Sequence, residues 1–353
     1  MELNDRIYDS EWFTRLSKAL LGIFVLAWFI RDARGVSDAT ITYLSMLSLW
    51  PLPVATILYL AYRSPSRFVL GYAVLYLLTY KRDARHNGSS MWSGLGGGRS
   101  AEAIQRFLRT QVHTPYQSEL KALATTGQHF VFAVHPHAVF ATSTLVHFVL
   151  SRLLTREKIG VDFRVMTINL NFFIPLLREW LLARGFVSAD PSTFSSLASR
   201  GISTVLVPGG SEEALHAYPG SADLVVKKRK GFIREALRTG AWVVPVYAFG
   251  DTQSVPIFRL LGIERIQRLI QKTLTFATPF ALPYFKRSNG YEMNMVMGKP
   301  IPPPRETEIQ SLEERTSVYH KIYLENLERL FYEYLNVYGT AEERKGKGIR
   351  FLD

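Results

Sequence analysis

No cysteine occurs in these 353 residues. That absence excludes disulfides, thiol nucleophiles, thiolate zinc sites and iron–sulfur clusters, and it leaves the compartment undecided. A G-x-S-x-G nucleophile elbow is also missing, and so is H-E-x-x-H. Acidic charge is scarce: 30 Asp and Glu stand against 42 Lys and Arg, a net +12. Such a balance favours an anionic partner, whether a phosphorylated small molecule, an anionic membrane surface or nucleic acid. Nucleic acid ranks last, because no zinc-finger, basic-zipper or RNA-recognition motif is present. Long hydrophobic runs are few, and a mean hydropathy of +0.03 excludes a polytopic channel or transporter.

What is present is apolar bulk, 47% hydrophobic and 13% aromatic, enough at this length for a full core. It is unevenly placed. Uncharged runs occupy 19–30, 39–62 and 68–80. At about 1.5 Å per residue the second could cross a bilayer core of roughly 30 Å, although Pro51 and Pro53 interrupt it. The expectation is a membrane-anchoring region over 1–86 with an N-terminal hydrophobic membrane hairpin, crossing or re-entrant. A pair of buried core helices is the competing reading. Lys81, Arg82 and Arg85 follow directly and place the remainder in the cytosol. The first run lacks a small-residue cleavage site, which argues against a signal peptide.

Residues 87–100, with Gly94, Gly96, Gly97 and Gly98, read as a linker. From 101 to 339 strand and helix patterns alternate. Strands are expected at 129–135, 161–167, 202–207, 242–249 and 291–298, and helices at 141–155, 175–184, 192–199, 230–238 and 257–272. Alternation of this kind argues for an α/β fold, a mainly parallel sheet flanked by helices. Beyond Pro302-Pro303-Pro304 a long amphipathic helix reaches Asn336, with Tyr319, Tyr323, Leu327, Leu330 and Phe331 at spacings of three and four. Gly339 is its expected stop. Residues 340–353 form a charged tail, in which Glu342 to Lys347 is expected to be loose.

Three segments carry chemistry. The apolar run 130–134 ends on His135-Pro136-His137-Ala138, delivering imidazoles whose ordinary pKa suits proton transfer near neutrality. A catalytic base, a metal pair and a structural pair at a strand end are the three readings. The metal reading lacks further ligands, and the other two stay open. The second segment, Val207-Pro208-Gly209-Gly210-Ser211-Glu212-Glu213, joins an apolar strand to a turn and a helix. Backbone N–H groups at Gly209 and Gly210 could receive an oxyanion. Glu212 and Glu213 either serve the helix dipole or orient an imidazole. The third segment, Lys227-Lys228-Arg229-Lys230-Gly231-Phe232, continues through Arg234 and Arg238. It is either a solvated face or a grip for phosphates. A histidine base, a basic face and no obvious nucleophile fit direct transfer of an acyl group to a deprotonated hydroxyl.

In this order the residues resemble the type-2 diacylglycerol acyltransferase family, which includes monoacylglycerol acyltransferases and some wax-ester synthases. His135-Pro136-His137-Ala138 is similar to that family's His-Pro-His-Gly signature. Asn171-Phe172 with Pro175 and Leu177-Arg178-Glu179 resembles its N-F-x-x-P-x-L-R-E block, and Gly209-Gly210 through Glu213 its Gly-Gly-x-x-Glu block. Arg229-Lys230-Gly231-Phe232 through Phe249-Gly250 and Gly298-Lys299-Pro300-Ile301 resemble two later blocks, and coverage runs from about residue 68 to 337. One position departs: Ala138 stands where the family has glycine, and a positive φ there would cost alanine about 1 kcal/mol or more.

The resemblance implies a glycerolipid-acyltransferase-like fold in an enzyme of the endoplasmic reticulum membrane. Its catalytic domain would face the cytosol, with the lipid droplet surface as a second location. It implies transfer from acyl-CoA, as substrate, to the free hydroxyl of diacylglycerol, with monoacylglycerol or a fatty alcohol as alternative acceptors. His137 is then the expected base, held by Glu213, and His135 its partner or the base itself. Gly209 and Gly210 would receive the oxyanion, and Arg229, Lys230 and Arg234 the CoA phosphates. Asn171, Arg178 and Glu179 would give structural support. No cofactor or metal is expected; membrane lipids and a second copy of the chain are expected partners, and nucleic acid is not. Readings from other classes are a non-catalytic lipid-binding membrane protein and a membrane-attached lipid hydrolase.

Overall fold

The computed structural model describes residues 62–79, 83–174, 177–254, 292–305 and 311–353, with positions 37, 38, 40 and 59. Its strands are β1 (Thr110–His113), β2 (Phe130–His135), β3 (Phe163–Thr167), β4 (Phe186–Ser188), β5 (Ser203–Leu206), β6 (Ala222–Val225), β7 (Trp242–Phe249), β8 (Met293–Met297) and β9 (Ile349–Leu352). Seven form one sheet in the order β1-β8-β7-β2-β5-β3-β4, and β6 pairs with β9. From β7 to β4 every pairing is parallel; β8 runs antiparallel to β7, and β1 parallel to β8. The mainly parallel α/β sheet is therefore present.

The five strands expected from the sequence lie within two residues of their expected bounds. The expected helices include Leu177–Ala183, Pro191–Ala198 and Gly231–Thr239, while 257–272 lies outside the described residues. The helix expected over 141–155 is broken into Thr142–Thr144, a wide-turn stretch Leu145–Leu150, and Arg152–Ile159. The wide turn releases the His147 carbonyl, which accepts from Thr155 Oγ1 at 2.7 Å.

β2 is buried along its whole length because both faces of the sheet are covered. Phe130, Phe132 and Val134 turn one way, into a cluster with Phe148, Phe163 and Leu181. Val131 and Ala133 turn the other way, toward Ile233 and the long helix Leu312–Tyr338, which supplies Tyr319, Tyr323, Leu327 and Phe331. By the two-residue period of a strand, His135 belongs to this second face. Ser311 starts the long helix with a capping box: its hydroxyl accepts from Glu314 N, and the Glu314 side chain returns to the Ser311 N–H.

Two expectations are corrected. The N-terminal hydrophobic membrane hairpin is not upheld: among the described residues no helix is long and apolar enough to cross a membrane. Residues 68–79 of the run 68–80 fall in the helix Pro65–Thr79, whose 15 residues span about 22 Å, short of a bilayer core of roughly 30 Å. The run 19–30 and most of 39–62, with Pro51 and Pro53, lie outside the described residues. The charged tail is not loose either. Thr340 and Glu343 form a second capping box on the helix Ala341–Lys345, and the chain then enters β9.

Candidate active site

Three neighbouring parallel strands, β7, β2 and β5, end at one edge of the sheet, where α/β folds place their ligands. β2 delivers His135 and His137. β5 leads through Gly209 into the short helix Gly210–Ala214, which carries Glu213. β7 leads through Gly250 to Asp251.

The two histidines stand in different surroundings. His135 is fully buried. Its Nε2 lies 2.8 Å from the Tyr323 hydroxyl, and its Nδ1 lies 3.6 Å from Glu213 Oε1. His137 is partly exposed. Its Nδ1 meets the Ala138 carbonyl at 3.1 Å, and its Nε2 has no partner among the described residues. With Nδ1 carrying the proton for Ala138, the Nε2 lone pair is the one left to accept. Burial lowers the His137 pKa, opposed by the Ala138 carbonyl and the Glu213 charge.

Glu213 was expected to orient the His137 imidazole, and it acts elsewhere. Its Oε1 accepts from the His137 backbone N–H at 2.6 Å and faces the His135 ring, while Oε2 accepts from Val225 N at 2.8 Å. Burial works to raise its pKa, but the bonds and charges of His135 and His137 outweigh burial and leave it below the ordinary value. A Cβ at Gly209 would collide with this carboxylate, so the glycine lets the turn close over Glu213.

Gly209 and Gly210 differ. The Gly210 N–H donates to Val207 O at 3.2 Å and is already used, whereas the Gly209 N–H has no acceptor among the described residues. Each expected phosphate ligand already has a partner. Arg229 reaches Glu212 at 2.6 Å, Lys230 reaches Ser317 Oγ at 3.0 Å, and Arg234 reaches Glu313 at 2.9 Å. Asn171 sits in the turn after β3 and donates to Thr167 Oγ1 at 2.8 Å. Arg178 pairs with Glu179 at 2.8 Å and lies 5.1 Å over the Tyr76 ring, tying the helix Pro65–Thr79 to Leu177–Ala183.

Sequence reasoning missed two residues of this edge. Tyr323 was counted as core, though the strand parity of His135 points straight at its helix. Asp251 is buried, accepts from Ser143 N at 2.9 Å, and thereby holds the turn that follows His137. The Phe249-Gly250-Asp251 sequence after an apolar strand was the available signal.

The His-Pro-His element thus stands at the carboxyl edge of β2, the central strand of a mainly parallel α/β sheet. The chain belongs to the diacylglycerol acyltransferase family, whose model, described as diacylglycerol acyltransferase, matches residues 64–346. Among its relatives is diacylglycerol O-acyltransferase 2 of Dictyostelium discoideum, 33% identical over 59% of this chain and 67% of that protein. Bovine (Bos taurus) 2-acylglycerol O-acyltransferase 1 is 30% identical over 61% and 68%. Human (Homo sapiens) acyl-CoA wax alcohol acyltransferase 1 is 27% identical over 86% and 88%.

Proposed function

We propose that this chain esterifies the free hydroxyl of diacylglycerol from acyl-CoA, giving triacylglycerol and free CoA. One observation carries the reading: His137 stands at the sheet's carboxyl edge with Nδ1 engaged and Nε2 unpartnered among the described residues. Nε2 takes the hydroxyl proton as the acceptor oxygen attacks the thioester carbonyl carbon. The carbonyl π electrons move to oxygen, where the Gly209 N–H is the donor available to them. The carbon–oxygen double bond re-forms, the carbon–sulfur bond breaks, and the departing thiolate recovers the proton from His137. A chain without cysteine offers no thiol for an acyl-enzyme, and direct transfer needs none.

Arg229 is the residue we assign to the CoA phosphates, by exchanging its exposed partner Glu212 for a phosphate. Lys230 and Arg234 bond to the long helix, and their part is secondary. Diacylglycerol scarcely dissolves in water, so the reaction belongs at a lipid surface, the endoplasmic reticulum membrane or a lipid droplet. Val69, Leu70 and Val74 are exposed on the helix Pro65–Thr79, in keeping with that setting. A second acceptor reading, a fatty alcohol, is favoured by the extent of the match to the human wax alcohol acyltransferase.

The test is purified protein in detergent with labelled acyl-CoA and a panel of diacylglycerol, monoacylglycerol and fatty alcohol. His137→Ala is expected to lower kcat by roughly 100- to 10,000-fold while the fold is kept. The acid limb of the parent's activity should lie below the ordinary histidine value, because burial depresses the His137 pKa. Undiminished ester in His137→Ala would overturn the base. Free fatty acid as the product would indicate hydrolysis, and lipid binding without turnover a non-catalytic protein.

A further inference from the structure

We infer that Tyr323 is a positioning residue for the base: its hydroxyl sets the tautomer of His135, whose other ring nitrogen faces the carboxylate that fixes the His137 backbone. This rests on the reading of His137 as the base. The contacts run in one line. Tyr323 OH lies 2.8 Å from His135 Nε2, His135 Nδ1 faces Glu213 Oε1 at 3.6 Å, and that same oxygen accepts the His137 N–H at 2.6 Å. His135, Tyr323 and Glu213 are each buried to within 1% of completely. Water is therefore excluded as a substitute partner for any of them.

A neutral imidazole has one N–H and one lone pair, and the hydrogen bond at one nitrogen decides the other. Burial and the Glu213 charge push the Tyr323 phenol well above its ordinary pKa, so it stays protonated and donates. Nε2 accepts, Nδ1 carries the proton, and that N–H points at the carboxylate. In the opposite tautomer a lone pair would face Glu213, and the carboxylate would be repelled from the position where it holds His137. Phe232 packs edge-on against the Tyr323 ring at 5.2 Å, which limits its freedom to turn away. Tyr323 lies 188 positions from His135 along the chain, and the helix Leu312–Tyr338 brings it back.

Tyr319, one turn earlier on the same helix, supplies the control. It is equally buried, and its hydroxyl donates to Ile301 O at 2.7 Å and accepts from Val243 N at 3.0 Å, so it does not touch His135. Tyr323→Phe and Tyr319→Phe each remove one buried hydroxyl. The expectation is that Tyr323→Phe lowers kcat roughly 10- to 100-fold, the usual cost of removing an imidazole's outer partner, with KM for acyl-CoA unchanged. Its acid side should gain a second protonation beside that of His137, because Glu213 without a facing N–H is protonated more readily. Tyr319→Phe, assayed below its own melting temperature, should keep the parental kcat and pH profile.

A second measurement needs no variant: nitrogen-15 NMR of histidine-labelled parent protein should show His135 protonated at Nδ1. Parental kcat and pH profile in a folded Tyr323→Phe, or an Nε2-protonated His135, would overturn the inference. The tautomer is read independently of turnover, so an active His137→Ala would remove the base reading and leave that result standing.

Discussion

Ala138 has a φ of 45°, in the left-handed region where a Cβ crowds the backbone, and its carbonyl is the group that holds His137 Nδ1. Alanine pays roughly 1–2 kcal/mol to stay there, and glycine would give back about 0.4–1 kcal/mol through its looser unfolded state. Ala138→Gly should therefore stabilise the protein by about 0.5–1 kcal/mol, a rise in Tm of roughly 1–3 °C by calorimetry. A lower Tm would show that the strain is relieved elsewhere. Asp251 carries a different burden. Burial raises its carboxyl from 3.8 to about 6, against the hydrogen bonds from Ser143 and Ser254. The folded state thus keeps a proton that the unfolded chain gives up above pH 4. The stabilising contribution is complete below about 3.8 and is lost as pH rises through 6, on the order of 3 kcal/mol in all. Asp251→Asn is neutral throughout and can still accept from Ser143 N. Its Tm relative to the parent should climb between pH 4 and 6.5 and then level off; parallel curves would place the titration elsewhere.

Elements were legible where a repeat ran long enough to be counted. The i, i+4 stripe Tyr319, Tyr323, Leu327 and Phe331 marks the buried face of the long helix. β2 and β7 show as unbroken apolar runs because helices cover both faces of the sheet. The strands that went unread are short. β1, β4, β6 and β9 have three or four residues, too few for a period of two to declare itself, and β6 and β9 each carry one charged residue, Asp223 and Arg350. Arg350 reads as solvated tail until its bidentate partner Asp223 is seen across the pair. The site was legible as a set of segments, His135–His137 and Gly209–Glu213, but not as bonds. No spacing reveals that Glu213 grips the backbone of His137 and faces the ring of His135. That follows from β5 lying beside β2, a pairing set by tertiary topology.

At the scale of the whole molecule, residues 340–353 link parts of the site that no strand of the main sheet joins. β9 lies in parallel register on β6, Ala222 to Ile349 through Val225 to Leu352, and Val225 N holds Glu213 Oε2. The helix before it sets buried Glu343 against the Gly250 N–H at 3.0 Å, and Gln253 reaches Thr340 Oγ1 at 2.8 Å. The same stretch therefore backs the Glu213 segment and the loop whose Asp251 holds Ser143. Its removal would strip β6 of its partner strand, leave the Gly250 N–H buried or wet and take Ile349 and Phe351 from the core beneath the long helix, while the seven-stranded sheet keeps its strand pairings. Deletion of 340–353 should accordingly give a protein with nearly parental far-UV circular dichroism and a lower Tm. Acyl transfer should fall at least tenfold, mainly in kcat, because the base and its carboxylate are loosened, while Arg229 keeps Glu212 and only Lys227 and Lys228 lose a partner, Asp353. Arg350→Ala should lie between the two proteins, since it removes the Asp223 pairing and leaves the strand. A deletion that folds and turns over at the parental rate would show that β6 and the Asp251 loop hold Glu213 and Ser143 without the strap.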